Sequence, residues 1–261
     1  MRVVARRPEP PLRRWVASIW YFEGEDLAHH RERIVPNGCM QLLVNLEEDR
    51  LRWWEGPSFA RALRLRGQCV AGAFSRPFAI GTAEQRCVTG VSFTPGGGAS
   101  FLGRGTHELA NDHAAFQGPR DRLLAAHASD SSGAAVLDTW ERWLRERLSP
   151  LPAWGLDGAL RSLEEGKSVQ ETADALTISV RTLRSKFSSQ VGLSPKTYAR
   201  VHRVQRLLKH TATSTDWADA AVAHGYFDQA HLIHEFRALT GTTPSAYQAR
   251  SEVDANHSIL G

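Results

Sequence analysis

The first hundred residues alternate short apolar runs with turn residues, a pattern typical of β-strands. Between residues 107 and 148 the apolar positions recur every three or four residues instead, which predicts helices. The clearest helix is predicted over residues 131–148, where Leu137, Trp140, Leu144 and Leu148 share one face. Two heptads are too short to decide whether this face forms a dimer seam or docks onto the β-rich part. The predicted strands lie at residues 33–35, 40–46, 51–54, 63–66, 69–74 and 88–93.

Pro150 and Pro152 end this pattern, and the chain beyond them has few β-branched runs and many helix signals. The length of 261 residues also favours two domains, at ~150 residues per domain. We therefore predict an α+β protein. Its β-rich N-terminal domain, barrel-like or sandwich-like and carrying helices, spans residues 1–150, and an all-α domain spans residues 151–261.

A capping box opens the strongest helical signal, because Ser168 precedes Glu171 by three residues. A second short helix follows with Ser179 as its cap, and Leu183 and Phe187 face inward on it. Two short helices joined by a tight turn, the second one basic on its outer face, are typical of a helix-turn-helix reader of the major groove. The outward-facing residues of the second helix are Arg181, Arg184, Ser185 and Lys186.

The charge along this segment agrees with a nucleic-acid partner, although the net charge of the whole chain, +4, is too small to decide. No acidic residue lies between Asp174 and Asp216, whereas eight basic residues do. An ordinary solvated face mixes both signs, so the depletion of acids indicates a surface that faces phosphates. We assign contacts with the DNA backbone to Ser179, Lys196, Arg200 and Arg203.

The same unit occurs twice, at about residues 168–190 and 216–238. Five positions of the first unit recur 49 residues later, and so many matches at one offset indicate a repeated supersecondary unit. The second unit has one extra residue in its turn, near Gly225 and Tyr226. A helix opening at Pro195 would hold the two reading helices apart, at ~34 Å if they enter successive major grooves. The matched residues are Leu183, Phe187, Gly192, Pro195 and Tyr198, with Leu232, Phe236, Gly241, Pro244 and Tyr247.

Residues 155–250 resemble the AraC/XylS family of bacterial transcriptional regulators. The resemblance rests on the repeated positions together with Trp217-Ala218-Asp219-Ala220-Ala221 and Gly225-Tyr226-Phe227-Asp228-Gln229. It implies a seven-helix DNA-binding domain with two helix-turn-helix units, and contact with RNA polymerase during activation. By position it assigns base reading to Arg181, Arg184 and Ser185 in the first unit, and to Gln229, His231 and His234 in the second.

Several residues depart from the family pattern. Ser185 stands where arginine is usual, so the neighbouring Arg184 and Lys186 become base-reading candidates. Phe227 replaces a usual capping serine and leaves Asp228 as the predicted cap, and Glu235 is predicted to weaken phosphate attraction in the second unit. The first unit is therefore predicted to dominate specificity.

The N-terminal half resembles a sensor domain attached to some of these regulators, which implies a regulatory role and a small-molecule effector. The resemblance rests on residues 33–38, 70–72 and 90–97. Clustered tryptophans most often form a packed core, but a small barrel also has room for one small ligand. The candidate ligand-binding residues are Trp20, Trp53 and Trp54.

Other chemistries find little support in the sequence. The three cysteines form no C-x-x-C pair and are predicted to be buried and reduced, and the His29-His30 pair is predicted to be solvated. His231 and His234 lack a third metal ligand, and the Gly96-Gly97-Gly98 turn lacks the lysine of a P-loop. We predict no catalytic residue, metal or cofactor, and hence no enzyme.

Neither a signal peptide nor an apolar run of ~20 residues is found, so we predict a cytoplasmic protein without a membrane partner. The predicted function is a ligand-modulated transcription regulator that binds promoter or operator DNA, with RNA polymerase and a homodimer as further expected partners. An architectural DNA-binding protein and an enzyme fused to a DNA-binding module remain as alternatives. The two preset reading helices favour site-specific reading over architecture.

Overall fold

The computed structural model describes residues 2–24, 29–103, 105–130, 132–210, 217–249 and 256–260. Two antiparallel sheets form the N-terminal part and helices dominate after residue 155, so the predicted α+β class is confirmed. The strands are β1 Arg2–Arg6, β2 Val16–Glu23, β3 Arg31–Ile34, β4 Gln41–Asn45, β5 Leu51–Glu55, β6 Arg61–Leu65, β7 Gln68–Ala71, β8 Phe78–Gly81, β9 Cys87–Phe93, β10 His113–Ala115 and β11 His257–Leu260. The α-helices are α1 Ala99–Leu102, α2 Arg120–Ser129, α3 Ala134–Arg147, α4 Leu156–Glu164, α5 Val169–Ala175, α6 Val180–Val191, α7 Pro195–His210, α8 Trp217–Ala223 and α9 Gln229–Thr240.

The two sheets enclose a small apolar cluster. The first sheet has the strand order β1-β2-β9-β4-β7-β10, and the second has the order β11-β3-β8-β5-β6. Because side chains alternate along a strand, Leu42 and Val44 of β4 join the main core, whereas Leu43 packs against the inner cluster. That inner cluster combines Trp53 and Phe78 of the second sheet with Ala71 of the first.

Helix α3 covers the outer face of the first sheet. Leu137, Trp140 and Leu144 are buried there, and the Trp140 indole N–H donates to the Thr89 hydroxyl at 3.0 Å. The apolar stripe of this helix therefore packs within the chain, which is the docking alternative of the two that the sequence left open.

The described residues 156–210 and 217–240 are mainly helical, as predicted, but the described chain does not stay helical to its end. Helix α9 is followed by a 3₁₀ turn, Pro244–Ala246, and strand β11 pairs antiparallel with β3 of the N-terminal part. The all-α prediction for 151–261 fails there because four residues are too few to show a strand period, and their partner lies more than 200 residues away in sequence.

A buried carboxylate connects β11 to β3. Glu32 is 1% exposed and its two oxygens contact two histidines, His29 Nε2 and His257 Nδ1, each at 2.7 Å. The prediction that His29 is simply solvated is therefore wrong, since the side chain folds back onto the buried carboxylate. A buried carboxylate needs hydrogen-bonding partners. Here one partner, His29, precedes β3, and the other, His257, begins β11 near the C-terminal end of the chain.

The three cysteines are free thiols, as predicted, and burial raises the pKa of both Cys39 and Cys69 to about 12. Within the described ranges, no helix combines the length and the apolar character that crossing a membrane requires.

Candidate nucleic-acid interface

The first helix-turn-helix unit is built from local hydrogen bonds that the sequence predicts. The Ser168 hydroxyl accepts from the Glu171 backbone N–H at 3.2 Å, and the Glu171 carboxylate accepts from the Ser168 N–H at 2.7 Å. Four residues, 176–179, turn the chain, and Thr177 adopts a positive φ of 54° among them. The Ser179 hydroxyl then accepts from the Thr182 N–H at 3.0 Å and caps α6.

Helix α6 has a buried side and an open side. Leu183 and Phe187 are fully buried, and Phe187 packs against Tyr198 of α7 with ring centroids 5.5 Å apart. On the open side, the side chains make no hydrogen bond or ion pair to any described residue, so their charges are available to an external partner. These exposed side chains are Arg181, Arg184, Ser185 and Lys186.

The C-terminal half of α6 is covered by the N-terminal part of the chain. The Ser189 carbonyl accepts from the Thr106 hydroxyl at 3.0 Å, and the Gln190 side chain accepts from the Trp154 indole at 2.7 Å. The first turns of α6 carry no such contact with the N-terminal part, and these are the turns that contact base edges in helix-turn-helix proteins.

The long helix α7 joins the two units, but its basic side chains have different roles. Lys196 is exposed and makes no ion pair within the described chain, as a phosphate contact requires. The Arg200 guanidinium instead pairs with Glu235 of α9 at 2.7 Å, and the Arg203 guanidinium lies 5.2 Å above the Tyr226 ring. Two of the predicted backbone contacts thus already have partners inside the protein.

Glu235 points inward from α9. Its carboxylate is 8% exposed and faces α7, where one oxygen accepts from Arg200 and the other is buried without a partner in the described structure. A buried carboxylate on the inner face does not repel DNA phosphates at the outer face. Helical spacing thus turns Glu235 inward, and any weakening of phosphate attraction by this residue would act through its ion pair with Arg200 and not through an exposed charge.

The second unit repeats the first with one more residue in its turn, 224–228, as the offset predicts. The Asp228 carboxylate caps α9, accepting from the His231 N–H at 2.7 Å, and Gln229 and His234 are exposed on the helix. His231 is half-buried: its Nδ1 accepts from the Phe227 backbone N–H at 3.3 Å, and its ring meets Tyr226 edge-on at 5.5 Å. The His231 imidazole therefore stabilises the turn through this hydrogen bond and this ring contact.

The three candidate ligand-binding tryptophans do not lie on one wall. Trp53 packs between the sheets, 4.2 Å from the His113 ring, and burial lowers the pKa of His113 to about 3. The Trp20 indole donates to Ser92 at 3.2 Å. Trp54 follows Trp53 in β5 and points to the opposite face, where the guanidinium of Arg31 lies 4.3 Å from its ring.

A cavity of about 540 Å³ opens elsewhere on the N-terminal domain. Its wall includes a small polar cluster, since the Tyr21 hydroxyl lies 3.3 Å from His127 Nδ1 and Cys87 Sγ lies 3.8 Å from His127 Nε2. Sequence reasoning missed this place because its residues are far apart in the chain. The lining side chains are Glu23, Leu46, Glu47, Arg86, Cys87 and His127.

Sequence reasoning also missed the contacts that the Pro36-Asn37-Gly38 turn makes with α7. The Pro36 carbonyl accepts from the Gln205 side chain at 2.7 Å, and Gly38, at a φ of +73°, lies against the Tyr198 ring. A Cβ atom at Gly38 would lie at an ordinary contact distance of 3.4 Å from that ring, so glycine is favoured here by its positive φ and not by lack of space. The turn therefore joins the N-terminal domain to the helix between the two reading units.

In comparisons with known proteins, two family models match separate parts of the chain. Residues 172–250 match a family described as a helix-turn-helix domain, and residues 5–115 match a domain of unknown function. A comparison with curated proteins finds no sequence relative.

Among solved structures, three of ToxT from Vibrio cholerae resemble the chain. One covers 93% of this chain and 96% of its own, at 8% identity and a TM-score of 0.44. A second covers 87% and 94%, at 9% identity and a TM-score of 0.43. A third, with a bound unsaturated fatty acid, covers 93% of both chains, at 8% identity and a TM-score of 0.43. Likeness at this level is too weak to transfer a ligand or a site.

Proposed function

We propose that this chain, which carries an AraC-type helix-turn-helix domain at residues 172–250, is a site-specific DNA-binding transcription regulator that responds to a small ligand at its N-terminal domain. One observation supports the DNA-binding part above all. The open side of α6 presents Arg181, Arg184, Ser185 and Lys186 without internal partners at the capped start of a reading helix. Arginine there suits bidentate recognition of guanine in the major groove.

The second unit extends the contact along the same duplex. Helix α7 packs on both reading helices, through Tyr198 against α6 and Arg200 against α9, so the two are held in one body. Gln229 and His234 face outward from α9, and Lys196 is free to neutralise a phosphate. We assign base reading to these exposed side chains and backbone binding to Lys196.

Modulation by a ligand is supported by two features of the N-terminal domain. The cavity of about 540 Å³ is in the size range of small-molecule sites, and its lining offers charged and polar groups. The same domain touches α6 directly, through the hydrogen bond between Thr106 and Ser189. If ligand binding moves the N-terminal domain, this hydrogen bond would pass the movement to the reading helix α6.

The proposal also includes partners. RNA polymerase is the partner that the family resemblance implies for activation. A homodimer would have to use a surface other than the stripe on α3, because Leu137, Trp140 and Leu144 of that stripe are buried in this chain. In this proposal the chain acts by binding and has no enzymatic activity of its own.

The full chain is first used to select duplexes from a randomised DNA library. The test is then a fluorescence anisotropy assay of the full chain with these duplexes, titrated with salt. We expect a selected duplex to bind ~10³-fold or more tightly than scrambled DNA, and Arg184→Ala to remove most of that preference. Arg161→Ala serves as the matched control, since Arg161 is exposed on α4, outside both units. Equal, steeply salt-dependent binding to every duplex would support an architectural protein instead, and turnover of a bound small molecule would support an enzyme.

A further inference from the structure

The turn of the second unit exposes a large aromatic side chain. Phe227 is 90% exposed, more than any other large hydrophobic residue in the described chain, and it directly precedes the Asp228 cap of α9. An aromatic ring left in water forgoes the gain of its burial, so Phe227 has apolar surface to offer to a partner that meets the start of α9.

Hydrogen bonds hold the backbone that carries this ring. The Phe227 N–H donates to His231 Nδ1 at 3.3 Å, and the next residue, Asp228, accepts from the His231 N–H at 2.7 Å. The imidazole in turn packs on the buried Tyr226. The turn that carries Phe227 is thus held by hydrogen bonds on both sides. Its backbone therefore loses little conformational entropy when a partner binds.

The same bracing reduces what His231 can offer to DNA. Its Nδ1 already accepts a hydrogen bond and its ring is half-buried against Tyr226. Phe227 is the large hydrophobic side chain exposed at the N-terminal end of α9, the part of a reading helix that meets base edges. Phenylalanine cannot hydrogen-bond a base, but it does make apolar contact with the C5 methyl group of thymine in the major groove.

We infer that Phe227 is a specificity-determining residue of the second unit, which contacts the methyl group of a thymine at the edge of the major groove. The inference rests on the proposed function and adds an apolar contact to the polar ones assigned to the second unit. His231 acts as a positioning residue, since it holds the Phe227 turn.

The experiment removes the methyl group alone. The full chain is first used to select its preferred duplex, and each thymine in the half-site of the second unit is then replaced by deoxyuridine, one at a time. We expect one of these replacements to weaken binding about fourfold, the effect of losing one buried methyl group. For Phe227→Ala we expect every replacement to leave the affinity unchanged. Val3→Ala is the matched control: Val3 is a hydrophobic residue 58% exposed on β1, outside both helix-turn-helix units, and its variant should keep the deoxyuridine effect.

The outcomes separate this inference from the proposed function. If no preferred duplex emerges, the proposed function fails and this inference fails with it. If a preferred duplex emerges but deoxyuridine has no effect, or the half-site lacks thymine, only this inference is overturned. If Phe227→Ala keeps both affinity and the deoxyuridine effect but loses transcription activation, Phe227 binds a protein such as RNA polymerase, which also overturns the inference.

Discussion

The two helix-turn-helix units share one scaffold and differ in what they show to a partner. The buried pair Leu183 and Phe187 of the first unit has its counterpart in Leu232 and Phe236 of the second, all fully buried. Outside that core, α6 of the first unit presents exposed basic side chains in its first turns, whereas the start of α9 presents a phenylalanine, an amide and an imidazole, with Arg237 exposed further along the helix. One packing pattern thus supports two different exposed faces, because the core fixes the helices and the exposed residues differ.

The largest effect should come from breaking the shared scaffold. Phe187→Ala and Phe236→Ala each remove a fully buried ring, so each should lower the free energy of unfolding by about 3–5 kcal/mol. Urea unfolding of the full chain measures both losses. Similar losses would confirm that the cores are equivalent, and a much smaller loss for one variant would show that its unit collapses around the cavity.

The next effect separates the two readers. Arg184→Ala should cost about 1–3 kcal/mol of discrimination between matched and mismatched duplexes, because it removes a potential bidentate contact with a base. His231→Ala should cost less, since that imidazole is engaged inside its own turn. Anisotropy titrations on both duplexes measure the difference, and equal losses for the two variants would refute the ordering.

Arg200 and Lys196, two of the basic residues of α7, should differ in whether they affect stability or DNA binding. Arg200→Met leaves the buried Glu235 carboxylate unpaired, so it should lower the free energy of unfolding by about 1–2 kcal/mol. Lys196→Met should leave unfolding unchanged and reduce the slope of log affinity against log salt by about 0.9, the value for one phosphate contact. A stable Arg200→Met variant with a reduced salt slope would instead assign Arg200 to the DNA backbone.

The smallest effect concerns the helix caps. Ser179→Ala and Asp228→Ala each remove one accepted backbone hydrogen bond at the start of a reading helix, and each should cost about 1 kcal/mol of stability. Thermal unfolding measures both. Thr182→Ala is a useful comparison for the first unit, because it removes the hydroxyl beside Ser179 but leaves the capped N–H in place.

Sequence reasoning succeeded where the determinants are local. The capping box at Ser168, the caps at Ser179 and Asp228 and the extra turn residue of the second unit all depend on neighbours within a few positions. The exposed face of α6 also follows directly from the helical period. The base-reading roles of its residues remain predictions.

Sequence reasoning failed where a distant residue decides the role. Whether Arg200 faces a phosphate depends on Glu235, which lies 35 positions away, and the engagement of His231 depends on how its turn closes. Trp53 and Trp54 are adjacent in sequence, yet strand alternation sends them to different environments. Neither charge patterning nor composition reports such pairings.

The strand β11 changes how the DNA-reading module is able to move. The module leaves the N-terminal domain after α3 and returns to it where β11 pairs with β3, locked by Glu32 and His257. Between these two ends the module also touches the N-terminal domain through the hydrogen bonds of Thr106 with Ser189 and of Gln205 with Pro36. A swing of the module away from the domain would therefore have to break these bonds and the four-residue strand pairing together.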